Sequence, residues 1–185
     1  VSAAGLGRDS LRHMLADNQS GIGELTLFDP DDCRATCAAE VPAFDVEDYT
    51  LSRKTYLDRA SELAFAAMRL ALSDAGLDPA DVAGDATDLL LGSAMGSQGT
   101  AQLFFEGLLE KGPRFVKPLL FPHAYSNTAI SLLAIEYKMS GYHLNLASGS
   151  TAGAQAVAMA ADRIRRGHSE RALAGGYEAL SESLF

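Results

Sequence analysis

The sequence contains no tryptophan, two cysteines and six prolines among 185 residues, and only 15 lysines and arginines stand against 24 aspartates and glutamates. Each shortage excludes something. Two cysteines cannot staple a disulfide scaffold, and the single C-x3-C spacing of Cys33 and Cys37 in an acidic, turn-like stretch is too little for a metal or redox centre. They are expected as free thiols in a reducing, cytoplasmic compartment, with no metal site. A formal net charge of −9 has the wrong sign for a phosphate backbone, which removes nucleic acid from the expected partners. No apolar run approaches the roughly 20 residues that span a bilayer. One of the longest, residues 63–68, stops at Arg69, so no membrane partner is expected. What remains, 48% hydrophobic and 21% charged, is the composition of a globular domain large enough to bury a core. The chain opens on Val1 with neither Met nor a signal segment ahead of residues 2–7, and the expectation is a domain over residues 1–185 that is incomplete at both ends.

The first 50 residues carry little periodicity. Asp9 or Ser10 is placed to cap a short helix through Leu15, a short apolar stretch ends at Phe28, and Asp29-Pro30-Asp31-Asp32 reads as an acidic turn. From residue 56 to 75 the pattern sharpens. Leu57, Ala60, Leu63, Ala64, Ala67, Met68, Ala71 and Leu72 recur at three- and four-residue steps, which predicts an amphipathic helix of about five turns stopped by Gly76. A polar loop over 78–85 follows, then a short buried strand over 88–92 that runs into the glycines at 92, 96 and 99.

Two further helix–strand alternations complete the chain. A helix is predicted over 126–139 and a strand over 143–147, with Leu144 and Leu146 facing one way. An alanine-rich helix over 151–166 carries a narrow stripe of Ala152, Ala156, Val157, Ala160 and Ile164, small enough to be enclosed by other elements. Arg163, Arg165 and Arg166 crowd its C-terminus, where the helix dipole favours positive charge, and a last strand over 171–174 enters Gly175-Gly176. Strands alternating with helices predict a layered α/β fold with a mainly parallel sheet and packed helices.

The most informative segment is Asn145-Leu146-Ala147-Ser148-Gly149-Ser150-Thr151-Ala152-Gly153. It reads as a strand, a tight turn with hydroxyls, and a helix start. Such a turn presents a side chain at the positive end of a helix, a good place for a nucleophile or an anion. The plainer reading is that Ser148, Ser150 or Thr151 caps the helix. Both stand at this point.

Here the chain resembles the β-ketoacyl synthases, the condensing enzymes of fatty-acid and polyketide synthesis. That family carries an Ala-Cys-x-Ser-like turn, an Ala-rich helix, Ile-Arg-x-Gly, a short strand and Ala-Gly-Gly-x-Glu. The sequence has Gly149-Ser150-Thr151-Ala152-Gly153, then Ile164-Arg165-Arg166-Gly167, then Ala174-Gly175-Gly176-Tyr177-Glu178. Val1-Ser2 with Gly5, Ser20-Gly21-Ile22 with Phe28-Asp29, Asp74-Ala75-Gly76-Leu77 and Asn127 fit in the same order. The resemblance implies the N-terminal half of a thiolase-like fold and an acyltransferase activity. In it an acyl chain passes from the phosphopantetheine arm of an acyl carrier protein to the nucleophile and condenses with a decarboxylating malonyl unit, with no other cofactor. It also implies a homo- or heterodimer with a synthase-family chain.

Two departures qualify the implied activity. The family's nucleophilic cysteine falls on Ser150, and the likeness stops at Phe185, short of the half that brings two histidines, a lysine and a glycine-rich loop. The histidines present, His13, His123, His143 and His168, do not fall at those places. A helix dipole contributes about 0.3–2 kcal/mol, at most about 1.5 pK units. That makes a useful thiolate from a thiol of pKa about 8.5, but an alcohol is far too weak an acid and needs an adjacent base. The chain alone is therefore expected to be inactive in condensation. The alternative to a synthase is a non-catalytic partner similar to a chain-length factor. For substrate, the resemblance points to Phe121, Pro122 and His123 near the subunit boundary, with Phe105 among the apolar residues of a second segment. Ordinary core or dimer interface is the plainer role for these residues, and His123 is expected to be a hydrogen-bonded structural residue. The densest basic cluster for an acidic carrier protein is Arg163, Arg165, Arg166 and Arg171.

Overall fold

The computed structural model describes residues 1–31 and 33–185. Its frame is a three-stranded parallel sheet formed by β3 (Thr87–Gly92), β4 (His143–Leu146) and β5 (Arg171–Gly176), in the order β4-β3-β5. A separate antiparallel pair, β1 (Gly23–Glu24) with β2 (Cys37–Ala38), lies in the N-terminal region. The described residues also form the helices α1 (Gly7–Ala16), α2 (Arg59–Asp74), α3 (Gln98–Lys111), α4 (Thr128–Glu136) and α5 (Ala152–Arg165), of which α2, α4 and α5 pack with the sheet. No helix among the described residues is long and apolar enough to cross a membrane.

The strand alternation sorts the core into two faces. Leu89 points into a cluster with Phe65, Met68 and Leu72 of α2 and Ile130 and Leu133 of α4. Leu90, its neighbour, points the other way onto Ala156 and Ala160 of α5, where Leu144, Leu146, Ala172 and Ala174 join it. The molecule is thus three layers, α2 and α4, sheet, α5, and Leu144 and Leu146 share one face as their spacing predicts.

Local chemistry sets the element ends. Asp58 caps α2, its Oδ1 accepting the Ser61 N–H at 3.0 Å, so the helix starts three residues after Tyr56. Neither Asp9 nor Ser10 caps α1. That helix begins earlier, at Gly7, and the Ser10 hydroxyl donates instead to the Leu6 carbonyl at 2.8 Å. The acidic turn is present at Asp31, whose N–H donates to Asp29 Oδ1 at 3.1 Å; Asp32, part of that expected turn, lies outside the described residues. Cys33 and Cys37 are free thiols.

One expectation fails, and one element has no sequence signal behind it. Helix α5 is not enclosed: its alanines face the sheet, while Val157 (52% exposed) and Ile164 (42% exposed) turn to solvent. The helix α3 is not legible from the sequence, because large apolar residues are exposed on more than one side of it, Leu103 on one and Phe105 with Leu109 on another, and glycines stand at 99 and 107, which erases any amphipathic stripe.

Candidate active site

The segment after β4 forms the predicted strand–turn–helix. Beyond Leu146 the chain reverses at Gly149, whose φ of +71° lies where an L side chain is strained, and a single 3-10 turn over Gly149–Thr151 leads into α5. No serine or threonine hydroxyl caps that helix. The Ala152 N–H is satisfied by the Gly149 carbonyl within the turn. The hydroxyls do something else. Ser148 Oγ donates to Gln155 Oε1 at 2.8 Å, and Gln155 Nε2 donates to Thr151 Oγ1 at 3.0 Å, so Gln155 ties both sides of the turn together. Ser150, between them, is exposed and makes no side-chain hydrogen bond among the described residues.

Glycines bring the strand ends against this turn. A Cβ on Gly92, the last residue of β3, would stand 2.2 Å from the Ala152 carbonyl carbon. Gly153 and Gly176 meet backbone to backbone, each Cβ position falling within 3.0 Å of the other's Cα. The first turn of α5 therefore rests directly on the carboxyl ends of β3 and β5. An open crevice of about 480 Å³ remains there, lined by Ser150 with Ser93, Ala94, Tyr177 and Glu178 among others. Ligands of open α/β sheets bind at this place, outside the carboxyl ends of the strands.

Both ionisable side chains of the crevice are already engaged. The Glu178 carboxylate accepts the backbone N–H groups of Ala94 (2.7 Å), Met95 (3.1 Å) and Gly96 (3.0 Å), and the Ser93 hydroxyl lies 3.3 Å from each of its oxygens. The buried Tyr177 hydroxyl donates to the Ser126 carbonyl and has Asn145 Oδ1 at 3.3 Å. Burial, with the charges of Asp58 and Glu178 adding to it, pushes its pKa far above the usual phenol value. Among the described residues neither group is hydrogen-bonded to Ser150, and no group of three or more metal-ligating side chains gathers.

A second polar cluster sits behind the turn that follows β3. Buried Asp58 accepts the Ser97 hydroxyl at 2.7 Å as well as the two groups of Ser61. His123 packs edge-on against Tyr56, with ring centroids 4.9 Å apart, and its Nδ1 lies 3.8 Å from Asp58 Oδ2. That separation exceeds a hydrogen bond, and His123 Nδ1 is buried without a partner, so the expected hydrogen-bonded role is not met at that atom.

The other expected residues divide. Phe121 and Pro122 belong to a 3-10 segment over Pro118–His123, and Phe105 to α3. Phe104 brings Phe121 (5.5 Å) and Phe105 (5.7 Å) into one aromatic group, with Phe121 half exposed. His123 turns the opposite way, into the core. None of Phe105, Phe121, Pro122 or His123 lines the crevice at Ser150. Of the basic cluster, Arg163 is turned inward: its Nε donates to buried Asp88 at 2.5 Å and its guanidinium stacks 3.8 Å above the Tyr142 ring. Glu178, Tyr177 and Asp58 are the site residues that sequence reasoning left without a role. Asp58-Arg59-Ala60-Ser61 is a legible helix cap, whereas Glu178 is marked only as the end of the Ala-Gly-Gly-x-Glu resemblance, and its hydrogen-bond partners stand more than 80 positions away.

The comparisons with known proteins agree with this architecture. The family model described as "Beta-ketoacyl synthase, N-terminal domain" matches residues 1–184. The chain is 29% identical over 187 residues to the 3-oxoacyl-[acyl-carrier-protein] synthase 2 of Coxiella burnetii, covering 100% of this chain and 45% of that protein. It is 27% identical to the enzyme of that name from Staphylococcus aureus, over 86% of this chain and 39% of the relative. Among solved structures, the ishigamide ketosynthase/chain length factor superposes with a TM-score of 0.87 at 26% identity, covering 100% of this chain and 46% of that one. A beta-ketoacyl synthase from Burkholderia phymatum shares the fold, with a TM-score of 0.80 at 23% identity over 95% of this chain and 44% of that one. The chain thus spans less than half the length of these relatives. It belongs to the β-ketoacyl synthase family, which it matches over the N-terminal domain.

Proposed function

We propose that the chain is the N-terminal part of a β-ketoacyl-ACP synthase-like acyltransferase subunit of fatty-acid or polyketide synthesis, working in the cytoplasm. Its substrate is an acyl chain carried on the phosphopantetheine arm of an acyl carrier protein, with no further cofactor. The observation that carries this reading is the turn at Ser150: an exposed, unengaged hydroxyl at the N-terminal end of α5, above a crevice at the carboxyl ends of the strands.

A specific observation favours one form of that subunit. Among the described residues no base is hydrogen-bonded to Ser150, the Glu178 and Tyr177 side chains being paired with other groups. The dipole of α5 is too weak to ionise an alcohol. In this form Ser150 carries no acyl chain, and the subunit acts as a chain-length-factor-like partner that completes a dimer with a cysteine-bearing synthase chain. The half-exposed rings of Phe121 and Phe105, with Pro122 next to Phe121 in the chain, are then candidate walls of the acyl channel at the boundary between chains, while His123 is buried behind them.

The test is malonyl-dependent condensation by the full-length subunit, alone and with a cysteine-bearing synthase chain. The reading expects no product from the subunit alone and condensation by the pair, with product length altered by Phe121→Ala. Robust condensation by the subunit alone overturns the partner form and leaves a serine-dependent synthase.

A further inference from the structure

We infer that Glu178 is a positioning residue, a latch that holds the turn after β3 as the wall of the crevice facing Ser150; the inference rests on that crevice being the acyl site. Beyond Ser93, whose N–H still donates to the Leu146 carbonyl at 2.9 Å, the turn over residues 94–96 has no helix or sheet ladder to hold its backbone. Three successive N–H groups, of Ala94, Met95 and Gly96, converge on a single carboxylate, and the Glu178 oxygens accept them at 2.7, 3.1 and 3.0 Å. Such an arrangement of backbone donors is an anion-binding concavity, here filled from within the chain. Ser93 closes the loop on itself: its Oγ accepts the Gly96 N–H at 2.7 Å while lying 3.3 Å from both Glu178 oxygens.

The placement makes the latch a device for the site. Glu178 follows β5, and the Tyr177 N–H donates to the Gly92 carbonyl at 3.0 Å, so the carboxylate is delivered from the same strand end that supports Gly153. Ser93, Ala94, Ser150, Tyr177 and Glu178 line one crevice, so the turn and the nucleophile position border the same space. On the other side the turn cannot yield freely. Gly96 has φ +66° and approaches Ser126 so closely that a Cβ would stand 2.6 Å from its Cα, and Ser97 is bonded to buried Asp58. Held at both ends, the wall keeps one shape, and Glu178 supplies the crevice-side hold.

Glutamine at 178 keeps the size but presents an amide N–H₂ to donors and gives up charge-assisted bonds. The experiment compares full-length Ser150→Cys with Ser150→Cys/Glu178→Gln, each with its partner chain. Three quantities are read: amide exchange at residues 94–96, alkylation of the new thiol by iodoacetamide and by an N-alkyl iodoacetamide, and thioester loading from acyl-ACP. The latch predicts exchange at 94–96 faster by about tenfold or more, iodoacetamide reaction within about twofold, and N-alkyl reaction and acyl loading each changed by about fivefold or more. Unchanged exchange, or loosened amides with an unchanged ratio of the two alkylations, overturns it. Failure of Ser150→Cys itself to load an acyl chain counts against the proposed function, while the alkylation ratio still decides the latch. If Glu178→Gln does not fold, Ser93→Ala, which removes the hydroxyl between Glu178 and Gly96, is read in the same way with the same two outcomes.

Discussion

At Asp88 a carboxylate with 2% of its side chain exposed is taken into the sheet, and the fold surrounds it with donors: Arg163 Nε at 2.5 Å and the Tyr142 N–H at 3.2 Å. Glu136 is the second such group, accepting the N–H groups of Leu51 and Ser52 and pairing with Lys54. Burial works against the charge of both, yet the Arg163 guanidinium and the Tyr142 N–H at Asp88, and Lys54 and Ser52 at Glu136, hold each carboxyl below its ordinary 3.8 or 4.5. A folded-state value below the unfolded one means that the unfolded chain binds the more protons in acid. The stability these groups contribute is complete well above pH 4.5 and drains away as pH falls through 4.5 and 3.8 toward their folded values. Urea unfolding between pH 7 and pH 3 should show that loss, and Asp88→Asn should flatten part of it. The same substitution should cost about 2–3 kcal/mol at pH 7, below the figure for a fully dry pair because 24% of the Arg163 side chain stays in water. A cost under about 0.5 kcal/mol would show that the pair is replaced by water.

At the scale of elements, the contact between α5 and the strand ends is the tightest joint in the molecule. A Cβ on Gly92 meets backbone atoms of Ala152 and Gly153 at 2.2–2.5 Å, and backbone cannot rotate aside as a side chain does. Gly92→Ala should therefore destabilise by about 3 kcal/mol in denaturant titration, the upper end of ordinary overpacking. Gly175→Ala is the control: nothing lies within 4 Å of its Cβ position, and a change within about 1 kcal/mol is expected. Equal effects at the two positions would deny that the joint is close-packed. This joint was legible in part. Alternating Leu89 and Leu90, the stripe of Ala152, Ala156 and Ala160, and the strand–turn–helix at Ser150 all follow from sequence periods of 2 and 3.6. The rest was set by partners distant in sequence. Ser148 and Thr151 have the composition of helix caps, but Gln155 claims both hydroxyls. Phe105 and Leu109 break the pattern of α3 because their side of the helix is exposed.

At the scale of the whole molecule, the sheet order leaves β4 with a neighbour on one side only, β3. Its open edge is a template for another strand, such as the same strand of a partner chain. Hydrogen exchange of the amides over residues 142–147 across a dilution series tests that use. Protection falling together with dimer mass supports edge pairing, and protection unchanged in a demonstrated monomer rejects it. The central claim, that the Ser150 crevice has the shape of an acylation site without the chemistry of one, is tested most directly by intact mass. Full-length protein with serine at 150, and its Ser150→Cys variant, are each incubated with acyl-ACP and weighed. The account predicts no acyl adduct on the serine protein and a hydroxylamine-labile thioester on the variant. An acyl oxyester mapped to Ser150 would contradict it.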